Sequence, residues 1–144
     1  MTAEPPRQIE TAVLDASALL RLYLADGPLP QGLEPVMERG CRGDLILMVP
    51  DLCWLEISSV LCRQIKRALL SSDEVSELFA DIQRLPLRTI PTRDLCGMAM
   101  QLSQDHGISV YDATYLALAL RHGASLFTAD DRLAAAARAR GALP

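Results

Sequence analysis

The stretch "SVYDATYLALAL" (Ser109–Leu120) decides the reading of the fold. From Val110 to Leu120 it carries one charged side chain, Asp112. A helix apolar on nearly every side has to be buried, so the chain must supply packing partners around residues 110–122. An unpaired carboxylate in such a helix is expensive, so Asp112 needs an explanation of its own.

Working outward, the flanking segments alternate between two periodicities. "TAVLD" (11–15), "DLILMVP" (44–50), "LRTIP" (87–91) and "SLFT" (125–128) read as short β runs. Helical spacing follows at 17–26, 33–40, 51–70, 94–105, 110–122 and 129–140, with a Pro/Gly-rich turn, "GPLPQG", after the first of these. A capped helix opens at "SSDEVSELFADIQRL", where Ser71 or Ser72 is the N-cap and Glu74 and Glu77 lie early in the helix. Strands alternating with helices imply an α/β fold, a mostly parallel sheet with helices on both faces. Residues 1–10 are a polar, Pro-containing tail expected to be disordered, and 11–144 form a single domain.

Composition narrows the class. Of 144 residues, 50% are hydrophobic and 22% charged, ordinary values for a globular domain. The apolar runs are far too short to span a bilayer and no basic-then-apolar leader is visible, so a cytoplasmic location with no membrane partner is expected. Cys41, Cys53, Cys62 and Cys96 lack CxxC spacing and read as structural thiols, with Cys53 and Cys62 as small core residues. A net charge of −4 argues against a generic polybasic nucleic-acid binder.

Four acids fall on one edge of the predicted sheet. Asp15 ends the first strand, and Asp130 lies just past "SLFT". Asp112 is in the first turn of its helix, and Glu56 lies in the second turn of the helix after "LILMV". Each has a plain reading: Asp15 and Asp130 as N-caps, Asp112 as a first-turn acid favoured by the helix dipole, Glu56 as a solvated-edge residue. As a set they point elsewhere, because the carboxyl ends of parallel strands are where such sheets place their crevice. Clustered carboxylates raise one another's pKa, and a hard divalent cation such as Mg²⁺ or Mn²⁺ removes the difficulty. Ser17 and Thr128 add short hydroxyls beside the pocket, suited to supporting an acid or positioning a water. His106 and His122 each precede Gly at a helix end and read as C-terminal residues, leaving no histidine base. One or two ions on a carboxylate cluster suit in-line phosphodiester hydrolysis without one.

"AVLDASALL", "PDLCWLEISSVL", "SVYDATYLALAL" and "LFTADDRL", in that order, resemble the PIN-domain ribonucleases, with the nearest likeness to VapC-type toxins of bacterial toxin–antitoxin pairs. The resemblance spans about residues 11–135. It implies a PIN-like three-layer α/β/α fold with a central parallel sheet of four to five strands. It further implies Mg²⁺- or Mn²⁺-dependent endonucleolytic cleavage of RNA, a homodimer, and inhibition by a small antitoxin protein. Asp15, Glu56, Asp112 and Asp130 match the family's acids: Asp15, Asp112 and Asp130 as metal ligands, and Glu56 holding a metal-bound water or a ligand position. Ser17 and Thr128 match their polar companions. Asp131 directly follows Asp130 and competes for the fourth position, although the "TAD" spacing favours Asp130. The chain ends at "GALP", where many relatives add a further strand, which leaves the fifth strand open.

Arg63 and Arg67 fall within about a 40° sector of Glu56 on a helical wheel and, with Lys66, offer grips for RNA phosphates or a simple solvated face. One Trp, three Tyr and two Phe leave base stacking a minor theme. A haloacid-dehalogenase-like phosphatase would want an Asp where Ser17 stands, and a response-regulator receiver a late Lys that "LFTADD" does not offer. The remaining alternatives are a non-catalytic PIN-like RNA- or protein-binding module, and an RNA-processing PIN nuclease without an antitoxin.

Overall fold

A computed structural model describes residues 2–144. In chain order the strands are β1 (Thr11–Leu14), β2 (Ile46–Pro50), β3 (Leu87–Ile90) and β4 (Ser125–Phe127). The helices are α1 (Ala16–Arg21), α2 (Leu33–Cys41), α3 (Leu52–Lys66), α4 (Ser72–Gln83), α5 (Cys96–His106), α6 (Val110–His122) and α7 (Asp131–Ala139), with a 3-10 turn at Arg93–Leu95. The sheet is parallel in the order β3-β2-β1-β4. It is the middle of three layers, α/β/α. β1 is central, and its Val13 and Leu14 are fully buried. Strands covered on both faces read as continuous apolar runs, which is why "LILMV" and "AVL" show no alternation.

The helix that set the fold behaves as its composition requires. Residues 113–119 of α6 are all buried, and the helix packs on β1, β2, β4, α5 and α7. Ser109 accepts from the Asp112 backbone N–H at 3.0 Å and caps its start, while Gly123 at φ +58° ends it in the left-handed region that glycine tolerates. His106 and His122 are the last residues of α5 and α6, each followed by such a glycine. In α4, Ser71 and Glu74 form a reciprocal capping box.

The ends of α1 and α3 and the exposure of Cys62 differ from the sequence expectations. α1 stops at Arg21 instead of running to residue 26: the backbone turns after it, and the Arg21 guanidinium bonds the Pro28 carbonyl and pairs with Asp26 across the turn. α3 ends at Lys66, and Ala68 adopts a left-handed φ of 56° two residues on. Cys62 is exposed while Cys53 is buried; nine residues place the two on opposite sides of one helix. All four cysteines are free thiols. The sheet has four strands: in place of a fifth, the terminal segment supplies one bond, from the Leu126 N–H to the Ala142 carbonyl at 2.7 Å. The end of the leading segment is tied in at Glu10, whose carbonyl accepts from Ile46 N–H at 2.9 Å and whose carboxylate pairs with Arg39. None of the described helices is long and apolar enough to cross a membrane.

Close approach of α2 to the sheet depends on Gly40. A Cβ there would lie 2.4 Å from Leu47 Cδ1 and 2.5 Å from its Cγ, and Leu47 is itself buried in β2. Leu47 cannot swing outward, so Gly40→Ala is expected to destabilise the protein by about 1–3 kcal/mol, read as a lower urea midpoint at unchanged slope.

Candidate active site

The local chemistry at each strand end places one acid. β1 runs directly into α1, and Asp15 at the junction is the N-cap: its Oδ1 accepts from Ala18 N–H at 2.8 Å. Asp130 caps α7 in the same way, accepting from Leu133 N–H at 2.8 Å. Both capping roles foreseen from sequence are therefore real, and each coexists with a position at the carboxyl edge of the sheet. Asp112 sits in the first turn of α6, and Glu56 is six residues past the end of β2.

Asp15, Glu56, Asp112 and Asp130 line a single cavity of about 310 Å³. Ser17, Ser59, Arg63 and Tyr115 line it with them. Arg67, at the C-terminal end of α3, and Asp131 are not among its lining residues. Of the two adjacent acids Asp130 lines the cavity, and of the two arginines Arg63 does. Arg63 donates to Ser59 Oγ at 3.2 Å.

A hydroxyl network joins the two strand ends. Ser17 Oγ donates to Asp15 Oδ1 at 2.7 Å and accepts from Ala129 N–H at 2.9 Å. Thr128, buried behind the pocket, donates to Asp15 Oδ2 and accepts from Asp130 N–H at 3.0 Å. These bonds tie the β1–α1 corner to the β4–α7 corner and hold both oxygens of Asp15 in place.

Electrostatically the site is short of positive charge. Asp15 is only 4% exposed, and loss of water pushes its carboxyl up to about 6. Thr128, Ser17 and the Ala18 N–H oppose that rise, and Asp112 adds to it. Burial also raises Glu56, against a hydrogen bond from Tyr115 and with a contribution from Asp112. Asp112 is raised by burial first and by Asp130 second, with Ser109 and Arg132 pulling the other way. Asp112 is thus the hub, felt by or feeling all three other acids. Among the described residues, no salt bridge involves any of the four, and no three His, Cys, Asp or Glu side chains close up tightly enough to enclose an ion directly.

Two lining residues escaped the sequence reading. Tyr115 donates its hydroxyl to Glu56 Oε1 at 2.5 Å across 59 residues of chain. Its signal was its place three residues after Asp112, on the same helix face, as the second of two tyrosines in α6 and the one that opens its Ala/Leu run. Ser59 stands in the same relation to Glu56.

Comparison with known proteins agrees with this architecture. The family profile described as PIN domain matches residues 12–139. Ribonuclease VapC3 of Pyrobaculum aerophilum is 32% identical over 124 residues, covering 85% of this chain and 91% of the relative. A crystal structure of PAE2754 from the same organism superposes with a TM-score of 0.67 at 19% identity, over 89% of this chain and 79% of the other. A toxin–antitoxin complex from Klebsiella pneumoniae gives a TM-score of 0.52 at 17% identity, over 80% of this chain and 82% of the other. With the four-stranded parallel sheet, the acids at its carboxyl edge and a family match over nearly the whole length, this chain belongs to the PIN domain family.

Proposed function

We propose that this chain is a metal-dependent endoribonuclease that hydrolyses RNA phosphodiester bonds as the toxin of a toxin–antitoxin pair. The observation that carries the reading is the gathering of four carboxylates into one cavity with, among the described residues, no ion pair to neutralise any of them. The cap that Asp15 makes on α1 does not need a carboxylate, since Asn or Ser caps as well; keeping a buried acid of raised pKa there is useful where a cation or substrate uses the charge. Support for the nuclease reading comes from the relative named Ribonuclease VapC3.

The donor set fits Mg²⁺ or Mn²⁺: every available ligand atom is oxygen. Mg²⁺ keeps several waters and is held through one or two carboxylates, which suits a pocket whose acids do not crowd onto one point. Asp15, Asp112 and Asp130 would hold the ion between them, in part through its waters, and it would supply Lewis acidity for attack on the phosphodiester. Ser17 and Thr128 keep Asp15 aimed into the pocket through the bonds described above. Glu56 faces the same space and positions the attacking water. Arg63 grips a backbone phosphate next to the scissile one, and Arg67 extends the grip outside the pocket. A small antitoxin protein as inhibitor, a homodimer and a cytoplasmic site of action complete the proposal.

The test is incubation of the purified protein with total cellular RNA, with Mg²⁺ or Mn²⁺ and with EDTA, followed by mapping of cut ends. Discrete cuts that appear with the ion and vanish with the chelator are expected; intact RNA under every condition would refute the nuclease reading. Expression of the chain alone should arrest growth, and co-expression with the protein encoded beside it should restore it.

A further inference from the structure

Glu56 has a partner held deep in the core. Tyr115 lies in the middle of α6, buried to 1% exposure, with its ring inside the core. Phenylalanine would fill that space equally well. The hydroxyl adds nothing to packing, and burying it is costly unless it is bonded. It is bonded: Oη donates to Glu56 Oε1 at 2.5 Å, while no other protein group donates to Glu56 among the described residues. We infer that Tyr115 is a positioning residue, whose phenol locks the Glu56 carboxylate into the cavity with one oxygen engaged and the other left for the reaction.

The surroundings favour a fixed donor in that place. Glu56 projects from α3 and Tyr115 from α6, so the bond joins the side chains of two different helices. A long carboxylate side chain otherwise loses rotamer freedom only at the moment of reaction. The phenol stays protonated, because burial drives its pKa far above the usual tyrosine range, with Cys53 and Glu56 adding to the rise. The neighbouring Cys53 thiol is pushed up to about 12 and stays neutral. Tyr115 is thus the donor and Glu56 the acceptor, at the short end of the range for an O–H···O bond.

This inference rests on the ribonuclease reading for its catalytic consequence, but the orientation of Glu56 can be read without it. Crystal structures of the wild type and Tyr115→Phe should show the aromatic ring unmoved and the Glu56 carboxylate displaced from the cavity wall. In single-turnover RNA cleavage, Tyr115→Phe should lower kcat about tenfold with KM within about twofold. In a Glu56→Gln background the same change should have almost no further effect, because residues acting through one another are not additive. A Glu56 carboxylate in the same place without the phenol, or equal losses in both backgrounds, overturns the assignment. Absence of cleavage by the wild type would instead sink the nuclease reading, and the two crystal structures would still decide the role of Tyr115.

Discussion

Asp112→Asn is expected to lower RNA cleavage about a thousandfold, near the upper range for loss of one preorganised electrostatic group. The side chain is isosteric and the Ser109 cap on α6 uses the backbone N–H of residue 112, so the helix keeps its start. What disappears is the charge at the hub of the cluster, the one coupled to Asp15, Glu56 and Asp130 together. Without it the pocket loses much of its hold on a divalent ion. Two measurements separate this from misfolding. Circular dichroism melting of the metal-free variant should give a Tm no lower than wild type, since a repulsive charge has gone. Added Mn²⁺ should raise the Tm of the wild type and leave that of the variant almost unchanged. Cleavage within tenfold of wild type would remove Asp112 from the proposed site.

The second large effect is on stability and has the opposite sign. Asp15→Asn should stabilise the metal-free protein at neutral pH by up to about 3 kcal/mol. Folded Asp15 titrates at about 6, against an ordinary value of 3.8. Between those two values the folded chain holds a proton that the unfolded chain has released. Stability therefore falls as pH rises through that window and stays low above it. Asn is as good an N-cap as Asp, so the bond to Ala18 N–H survives, and the Thr128 hydroxyl can turn to accept from the new amide. A gain on the order of 5–10 °C in Tm is expected at pH 7.5, shrinking towards zero near pH 4, while cleavage is lost as in Asp112→Asn. Saturating Mn²⁺ should narrow the gap by stabilising only the wild type. A metal-free wild type that is more stable at pH 7.5 than at pH 5, and more stable than the variant, would contradict the burial of an uncompensated Asp15.

This stability cost also weighs between the readings of the fold's purpose. A PIN-like module that only binds RNA or protein has no use for a buried carboxylate that weakens it at neutral pH. An active site does, because an ion or substrate recovers the loss on binding.

Much of this was legible in the residues. The all-round apolar character of 110–120 demanded a buried helix, and residues 113–119 are buried. The alternation of "AVL", "LILMV", "LRTI" and "SLF" with helical spacing demanded a parallel sheet, since parallel strands need crossover connections. Once that sheet exists, the position of Asp15 and Asp130 directly after two neighbouring strands puts them on one edge by topology alone. Local signals were less reliable at the ends of helices. α1 gives way to a turn that Arg21 spans with contacts to residues 26 and 28, and α3 ends two residues before the left-handed backbone of Ala68; neither appears in an apolar period.

What tertiary structure alone decided is a matter of distance between side chains remote in the chain. Arg63 enters the pocket and Arg67 does not, although a helical wheel puts them side by side, because α3 passes the cavity and leaves it behind within one turn. Asp130 rather than Asp131 faces the other acids because the cap geometry of α7 turns it there. Tyr115 meets Glu56 only because α6 and α3 come together across the sheet edge. The sequence by itself determined the layers, the order of segments and the edge at which charge collects, since these follow from which surfaces must leave water. Which oxygens meet, which hydroxyl fixes which carboxylate, and how far each acid is stripped of solvent depend on packing between elements, where shifts of an ångström make or break a hydrogen bond.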